Sequence, residues 1–337
     1  MQQLSVVIPN YNYERFVGDA IDSALSLRWP DVDIVVVDDG STDGSLDIIR
    51  SFGDRIRVLA TENASQRVAI NRGFALCTGD VVIFLDSDDL LPPDLPERVA
   101  AIWAPAVSKA QFQMQRIDAD GAALGSPFPT YQPLPDPAEI RRWATLTSAY
   151  PSPPGSGNAY ARWFLERILP VESAEVGNAA DSPLLAAAPF FGDVVSVAGA
   201  VVKYRQHDSN DSDLLRDHSR FPREVERARA RWNVARSALG DAVVDERPLF
   251  RSRELLQLRI ASCRMAPGAH PLPGDRRVRM ARDLLTSPIQ PGPERWVHRI
   301  AVVGWCLLTL VAPHRFAHRL IQLRYGRHHK VERSRGD

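Results

Sequence analysis

The sequence predicts an α/β protein: a mixed, mainly parallel sheet with helices on both faces, followed by a helical C-terminal extension. Two observations carry this. Over the first hundred residues the runs "LSVVIP" (4–9), "DIVVVDD" (33–39), "IRVLA" (56–60) and "VVIFLD" (81–86) alternate with helix-like segments, the pattern of a parallel sheet being wound. Beyond Asp213 the chain turns helical and Arg-rich, broken at Pro267, Pro271, Pro273, Pro288 and Pro291.

The near-continuous Val and Ile of the strands predict a sheet covered on both faces. In the first helix Phe16, Ala20 and Ala24 share one stripe and Val17, Ile21 and Leu25 the next, with Glu14, Asp19 and Asp22 outside it. A second helix is expected from about Asp43 to Phe52, with Ser41 or Thr42 as its cap, and a third carries Val68, Ala69, Ala75 and Leu76. After Trp103, "QFQMQRIDADGAALG" reads as a hairpin turning at Asp120-Gly121. The Pro-rich stretch 126–157, flanking a short helical run, reads as a linker or as loops able to lie over a site, "ARWFLERIL" and "SPLLAAAPFF" predict helices, and "VVSVAGAVVKYRQH" predicts a strand leading to polar residues.

Ligands of open parallel sheets sit outside the carboxyl ends of the strands. There this chain places Pro9, Asn10, Tyr11 and Asn12 after the first strand, and Asp38 and Asp39 after the second. Glu62 and Asn63 follow the third, and Asp86, Ser87 and Asp88 the fourth. The last group, with Asp89, is costly for folding alone: two like charges 4 Å apart repel by about 4 kcal/mol at an effective dielectric near 20. A solvated loop, or a cap supplied by Asp88 or Asp89 to the helix in "LLPPDLPERVAAIW", is one reading. A hard divalent cation, Mg2+ or Mn2+, that leaves places for substrate phosphates is the other, and the convergence of four polar clusters on one edge favours it. "DDGSTDGS" is not a calcium loop: counted from Asp39, position twelve is Arg50, where a bidentate Glu is required.

Bulk composition narrows the classes. With 337 residues, 41 Lys plus Arg and 41 Asp plus Glu, the chain has a sizeable core and no global field to draw it to nucleic acid. Cys77, Cys263 and Cys306 lie far apart, so neither a zinc site nor a disulfide framework is indicated. "MQQLSVVIP" carries no signal-peptide pattern, and nowhere do 18 consecutive apolar residues occur; a cytoplasmic protein is expected.

With these residues placed, the chain resembles a family 2 glycosyltransferase of GT-A fold. "VVIPNYN", "VVVDDGSTDGS", "CTGDVVIFLDSDD", "AADSPLL" and "YRQHDSNDS" occur in that family's order and at about its spacing, over roughly residues 3–213. The resemblance implies a catalytic domain at 1–213, with a nucleotide-sugar half at about 1–103 and an acceptor half at about 104–213, and leaves 214–337 as a helical extension. It implies a nucleoside-diphosphate sugar donor, taken first as a UDP-sugar, with a divalent cation and inversion at the anomeric carbon. The acceptor would be a glycan or lipid-linked hydroxyl in cell-surface polysaccharide or glycolipid synthesis. By position, Pro9 and Tyr11 would line the nucleobase pocket, Asp39 would bond the base and Asp38 would support that loop. Asp86 and Asp88 match the DxD metal pair, with Asp86 also reaching the donor ribose. Asp181 matches the general base, Arg205 and His207 would approach the diphosphate, and Ser156, Gly157 and Asn158 would lie by the acceptor.

Two departures stand out. Ala180 replaces the usual Glu before the base, and Ile70 replaces the Arg of Ala-Arg-Asn-x-Gly, with Arg67 or Arg72 as possible substitutes. They keep open an inactive nucleotide-sugar or glycan-binding protein of the same fold. A sugar-nucleotide pyrophosphorylase would want a Gly-rich basic loop near the N-terminus, which "IPNYNYERF" lacks.

The C-terminal "IAVVGWCLLTLVA" (300–312) spans about 20 Å as a helix, short of a bilayer core of about 30 Å. Next to it Phe316, Leu320 and Leu323 form a stripe beside Arg315, Arg319 and Arg324. Two readings stand: peripheral contact of residues 300–327 with the inner face of the cell membrane, or a buried core helix followed by a solvated basic one.

Overall fold

The computed structural model describes residues 3–131, 133–172, 176–177, 181–207, 220–240 and 245–325. They divide into two compact units: residues 1–142, 151–208 and 233–242 form the first, and 143–150, 209–232 and 243–337 the second.

The first unit is built on an eight-stranded sheet. Its strands are β1 (Leu4–Asn10), β2 (Val32–Asp38), β3 (Arg57–Ala60), β4 (Val81–Phe84), β5 (Val107–Ile117), β6 (Ala123–Phe128), β7 (Asn158–Ala161) and β8 (Asp193–Arg205), in the order β3-β2-β1-β4-β7-β5-β6 with β8 also paired to β5. The β3-β2-β1-β4 half is parallel, with Val6 opposite both Ile34 and Ile83. β7 is antiparallel to β4 and β5, so the sheet is mixed where the chain adds its second half. Every residue of β1 and β4 is buried, the consequence of helices on both faces.

The helices of this half are α1 (Val17–Leu25), α2 (Ser45–Ser51), α3 (Gln66–Leu76) and α4 (Leu95–Ile102). α1 buries Val17, Ala20, Ile21 and Ala24, an i, i+3, i+4, i+7 stripe. α3 comes so close to β1 that a Cβ at Gly73 would stand 2.3 Å from Val7 Cγ1, so only glycine fits there. Then follow α5 (Pro137–Thr147), α6 (Arg162–Ile168) and α7 (Asp181–Phe191).

One expected cap is absent, and a cap weighed against the cation reading does not form either. α2 starts after Gly44 with no side-chain cap, because the Ser41 hydroxyl is held by Asp38 instead. Asp88 and Asp89 cap nothing: α4 starts at Leu95 after Asp94. The helical run expected in the Pro-rich stretch is α5, the stretch begins in the end of β6, and its end, Gly155 to Gly157, is buried where it leads into β7.

The second unit is helical: most of α8 (Arg220–Ser237), then α9 (Arg247–Phe250), α10 (Arg253–Met265), α11 (Arg277–Thr286), α12 (Trp296–Val311) and α13 (His314–Tyr325). Its core joins Leu256 and Ile260 of α10, Met280 and Leu284 of α11, and Val302, Cys306 and Leu310 of α12. Ser252 caps α10 by accepting the Leu255 N–H. Among the described residues no helix is long and apolar enough to cross a membrane.

Candidate active site

The polar clusters named from the sequence meet at the carboxyl ends of β1, β2 and β4. Asp38 is buried and fully engaged: it accepts Asn10 Nδ2 at 2.9 Å, the Ser41 hydroxyl at 2.6 Å and the Ser41 N–H at 3.1 Å. Asn12, in the left-handed region at φ 59°, accepts the Thr42 N–H at 2.7 Å. Asp38 thus locks the loops after β1 and β2 together. Asp39 accepts the backbone N–H groups of Ala64 at 3.0 Å and Ser65 at 2.8 Å, tying in the loop after β3, with Arg72 Nη1 4.0 Å away. Pro9 lies within β1, its carbonyl accepting the Ser87 hydroxyl at 2.9 Å, while Tyr11 is 45% exposed at the rim.

The acidic loop leaves β4 under restraint from every side. The Asp86 N–H donates to Ser156 Oγ at 3.0 Å, and its carboxyl accepts Gln66 Nε2 at 2.7 Å. Leu90 and Lys203 exchange two backbone hydrogen bonds, which brings the end of β8 against the loop. From there Arg205 donates its N–H to Asp89 Oδ1 at 3.0 Å and its Nε to the Asp88 carbonyl at 2.9 Å. Nη1 reaches the Ala119 carbonyl at 2.7 Å and Nη2 reaches Asp19 at 3.0 Å. The guanidinium is buried, so it braces the acidic loop from behind rather than presenting itself at the strand ends. His207, stacked on Phe16 with ring centroids 4.9 Å apart, holds Asp88 Oδ2 through a hydrogen bond of 3.0 Å at Nε2.

The electrostatics follow from crowding acids in a dry place. Burial, then the charges of Asp88 and Asp181, push the Asp86 carboxyl up to about 8, against the Gln66 bond. Burial, then Asp88 and Asp86, push Asp89 up as well, and its buried Oδ2 has no hydrogen-bond partner among the described residues. This is a pocket short of positive charge. Its oxygen donors suit a hard cation. Among the described residues no three or more His, Cys, Asp or Glu side chains form a metal cage on their own.

On the other side, Asp181 is the first residue of α7, and its Oδ2 accepts the Gly155 N–H at 3.2 Å. Gly155 also faces Asp86: a Cβ there would lie 3.1 Å from Asp86 Oδ2. One glycine therefore separates the DxD aspartate from the expected base. Ser156 and Asn158 are fully buried, and Gly157 abuts Pro153, where a Cβ would lie 2.6 Å from the Pro153 Cβ. Asn158 Nδ2 donates to the carbonyls of Pro153, Pro154 and Gly155.

Three participants escaped the sequence reading. Lys109 of β5 is fully buried, its ammonium donating to Asn158 Oδ1 at 2.9 Å, Ser152 Oγ at 2.8 Å and Gln111 Oε1 at 3.0 Å. Burial pushes it well down, and the Asp181 charge opposes that. Gln66 and Gly155 are the others, and no spacing rule marks any of the three. Of the departures, Ile70 is buried, and Arg67 donates to the carbonyls of Val171 and Glu172. Ala180 and residues 208–212 of the last motif lie outside the described residues.

Residues 5–151 match the family described as Glycosyl transferase family 2. An uncharacterized glycosyltransferase of Nostoc is 32% identical over 215 residues, 62% of this chain and 66% of that protein. Glycosyltransferase GlyA of Streptococcus pneumoniae is 37% identical over 98 residues, 28% of this chain and 14% of that one. The chain thus spans just under two thirds, or less, of the curated relatives it matches. Among solved structures, residues 1–349 of S. aureus TarS in complex with UDP superpose with a TM-score of 0.54 at 15% identity, covering 96% of this chain and 92% of that one. The same protein in complex with UDP-GlcNAc gives 0.52 at 16%. The fold is of the GT-A type.

Proposed function

We propose that the protein is an inverting, metal-dependent hexosyltransferase that moves a sugar from a nucleoside-diphosphate sugar to an acceptor hydroxyl in a single displacement. The observation that carries it is the meeting of Asp86 and Asp181 across Gly155, with burial and the charges of Asp88 and Asp181 pushing Asp86 to about 8. Asp86 and Asp88 would hold Mg2+ or Mn2+. The bound ion would neutralise the charge that builds on the departing nucleoside diphosphate. Asp88 is oriented for this by His207, and its loop is braced by Arg205. Tyr11 at the rim and Pro9 and Asp39 behind it would form the nucleobase site. Asp181 would take the acceptor proton, a contribution of typically 10² to 10⁴-fold in rate. A UDP-sugar is the first donor to try, because the TarS structures of the same fold hold UDP and UDP-GlcNAc. A glycan or lipid-linked acceptor, and work at the cytoplasmic face of the cell membrane, complete the reading.

The test is calorimetric titration of UDP, GDP, dTDP and CDP with and without Mn2+. One nucleotide should bind only with metal, and Asp88→Asn should abolish that binding. Binding indifferent to both metal and Asp88 would sink the reading. With the donor known, Asp181→Asn should keep nucleotide affinity within a factor of about three and lose 10² to 10⁴-fold in transfer; equal loss of both would remove Asp181 as base.

A further inference from the structure

Of the fifteen large apolar side chains exposed anywhere among the described residues, eleven lie between Val278 and Leu323, so apolar exposure is concentrated in the helical unit. Much of it falls on α12. That helix packs into the core through Val302, Cys306 and Leu310. At 100° per residue the opposite face carries Val297, Ile300, Ala301, Gly304, Leu307, Leu308 and Val311, all of them exposed. The stripe runs four turns without a charged or polar side chain. A helix apolar on every face is normally covered on every face. An open apolar strip this long is an interaction surface.

Charge selects the partner. Between Arg276 and Tyr325 there are nine arginines and only two acids, Asp283 and Glu294. Both acids are already paired inside the unit, Asp283 with Arg259 and Glu294 with Arg253. Exposed Arg295 and His298 stand at one end of the stripe, and His314, Arg315 and Arg319 follow its other end. A second copy laid on the stripe would bring these arginines against their counterparts. An acidic lipid surface would meet them with opposite charge and take up the apolar strip between.

We propose that the outward face of α12, flanked by Arg295, Arg315 and Arg319, docks the protein in the plane of an anionic bilayer surface. The helix does not cross: sixteen residues span about 24 Å, and one face stays in the protein core. The proposal is independent of the transfer chemistry, and neither depends on the other being right.

The test is flotation of the full chain with vesicles of phosphatidylcholine alone or with 30% phosphatidylglycerol. Wild type should float with the anionic vesicles, at least tenfold less with the neutral ones, and less again as salt is raised. The double variant Ile300→Asp, Leu308→Asp changes only exposed positions, so it should melt like wild type and lose at least tenfold in bound fraction. Arg315→Glu with Arg319→Glu should remove the preference for anionic vesicles. Three results would overturn the proposal: no flotation of wild type, unchanged flotation of the Ile300/Leu308 variant, or equal binding to both vesicle types. A dimer in solution that the Ile300/Leu308 variant splits, without vesicle binding, would assign the face to self-association instead.

Discussion

Asp86 shows at the scale of one residue what the site costs the fold. Its carboxyl has an ordinary value of 3.8 and is held near 8 by burial and by Asp88 and Asp181. Between those values the folded protein keeps a proton that the unfolded chain has released, so its contribution to stability falls as pH rises from about 4 to about 8. Asp86→Asn removes the buried titration and keeps the shape. In metal-free protein at pH 8 this variant should melt several degrees higher than wild type, with the gap closing towards pH 4, while metal-dependent nucleotide binding disappears. A scanning-calorimetry series across pH checks it; a variant that melts lower at pH 8 would mean that Asp86 is not under this strain. Lys109 is the mirror case, a buried cation satisfied by three neutral oxygens. Lys109→Met should leave those acceptors unpaired at about 1 to 3 kcal/mol each and loosen the 151–158 loop. Transfer to the acceptor should then fall more than nucleotide binding, as kinetics against titration would show. Asp86 was legible from sequence because carboxylates crowded at a strand end require a reason. Lys109 was not, since one lysine in "VSKAQFQMQ" reads as an outward strand position until β7 and the 151–158 loop are seen to close over it.

At the scale of elements, what could be read was whatever a period or a run encodes. β1, β2 and β4 were legible because burial on both faces forces uninterrupted Val and Ile, and α1 because its buried stripe repeats every turn. The cap of α2 failed because a hydroxyl beside a helix start has rival partners, and Asp38 won Ser41. The 151–158 loop failed for a related reason: "YPSPPGSG" has linker composition, yet its Pro153, Gly155 and Gly157 are buried. The loop sets the spacing of the site, and Gly155 is where that spacing is tightest. A methyl there would sit 3.1 Å from Asp86 Oδ2, closer than the carboxyl tolerates without moving. Gly155→Ala should therefore weaken metal-dependent nucleotide binding at least tenfold with little loss of melting temperature. Calorimetry on the variant decides this, and wild-type affinity would show that Asp86 has room to yield.

For the whole molecule, two units with separate cores mean that acid need not unfold both together. In the helical unit Arg259 is fully buried, with Asp275 at 2.5 Å and Asp283 at 2.9 Å, and His270 3.3 Å from the same Asp275. Burial by itself would raise the Asp275 carboxyl; the bonds from Arg259 and His270 outweigh it and hold it near 2, below its ordinary 3.8. The depressed value makes the sign opposite to that of Asp86: this stabilisation is complete above about pH 4 and is lost as pH falls through 2. It amounts to about 2 kcal/mol, and protonation also leaves the Arg259 charge with less to balance it. Acid should thus strip helix signal from the C-terminal unit between pH 4 and 2, read by circular dichroism with hydrogen exchange to locate it. Asp275→Asn should be destabilised at pH 7 and should flatten that acid limb. If the variant kept the full acid transition, the buried arginine cluster would not be what acid breaks.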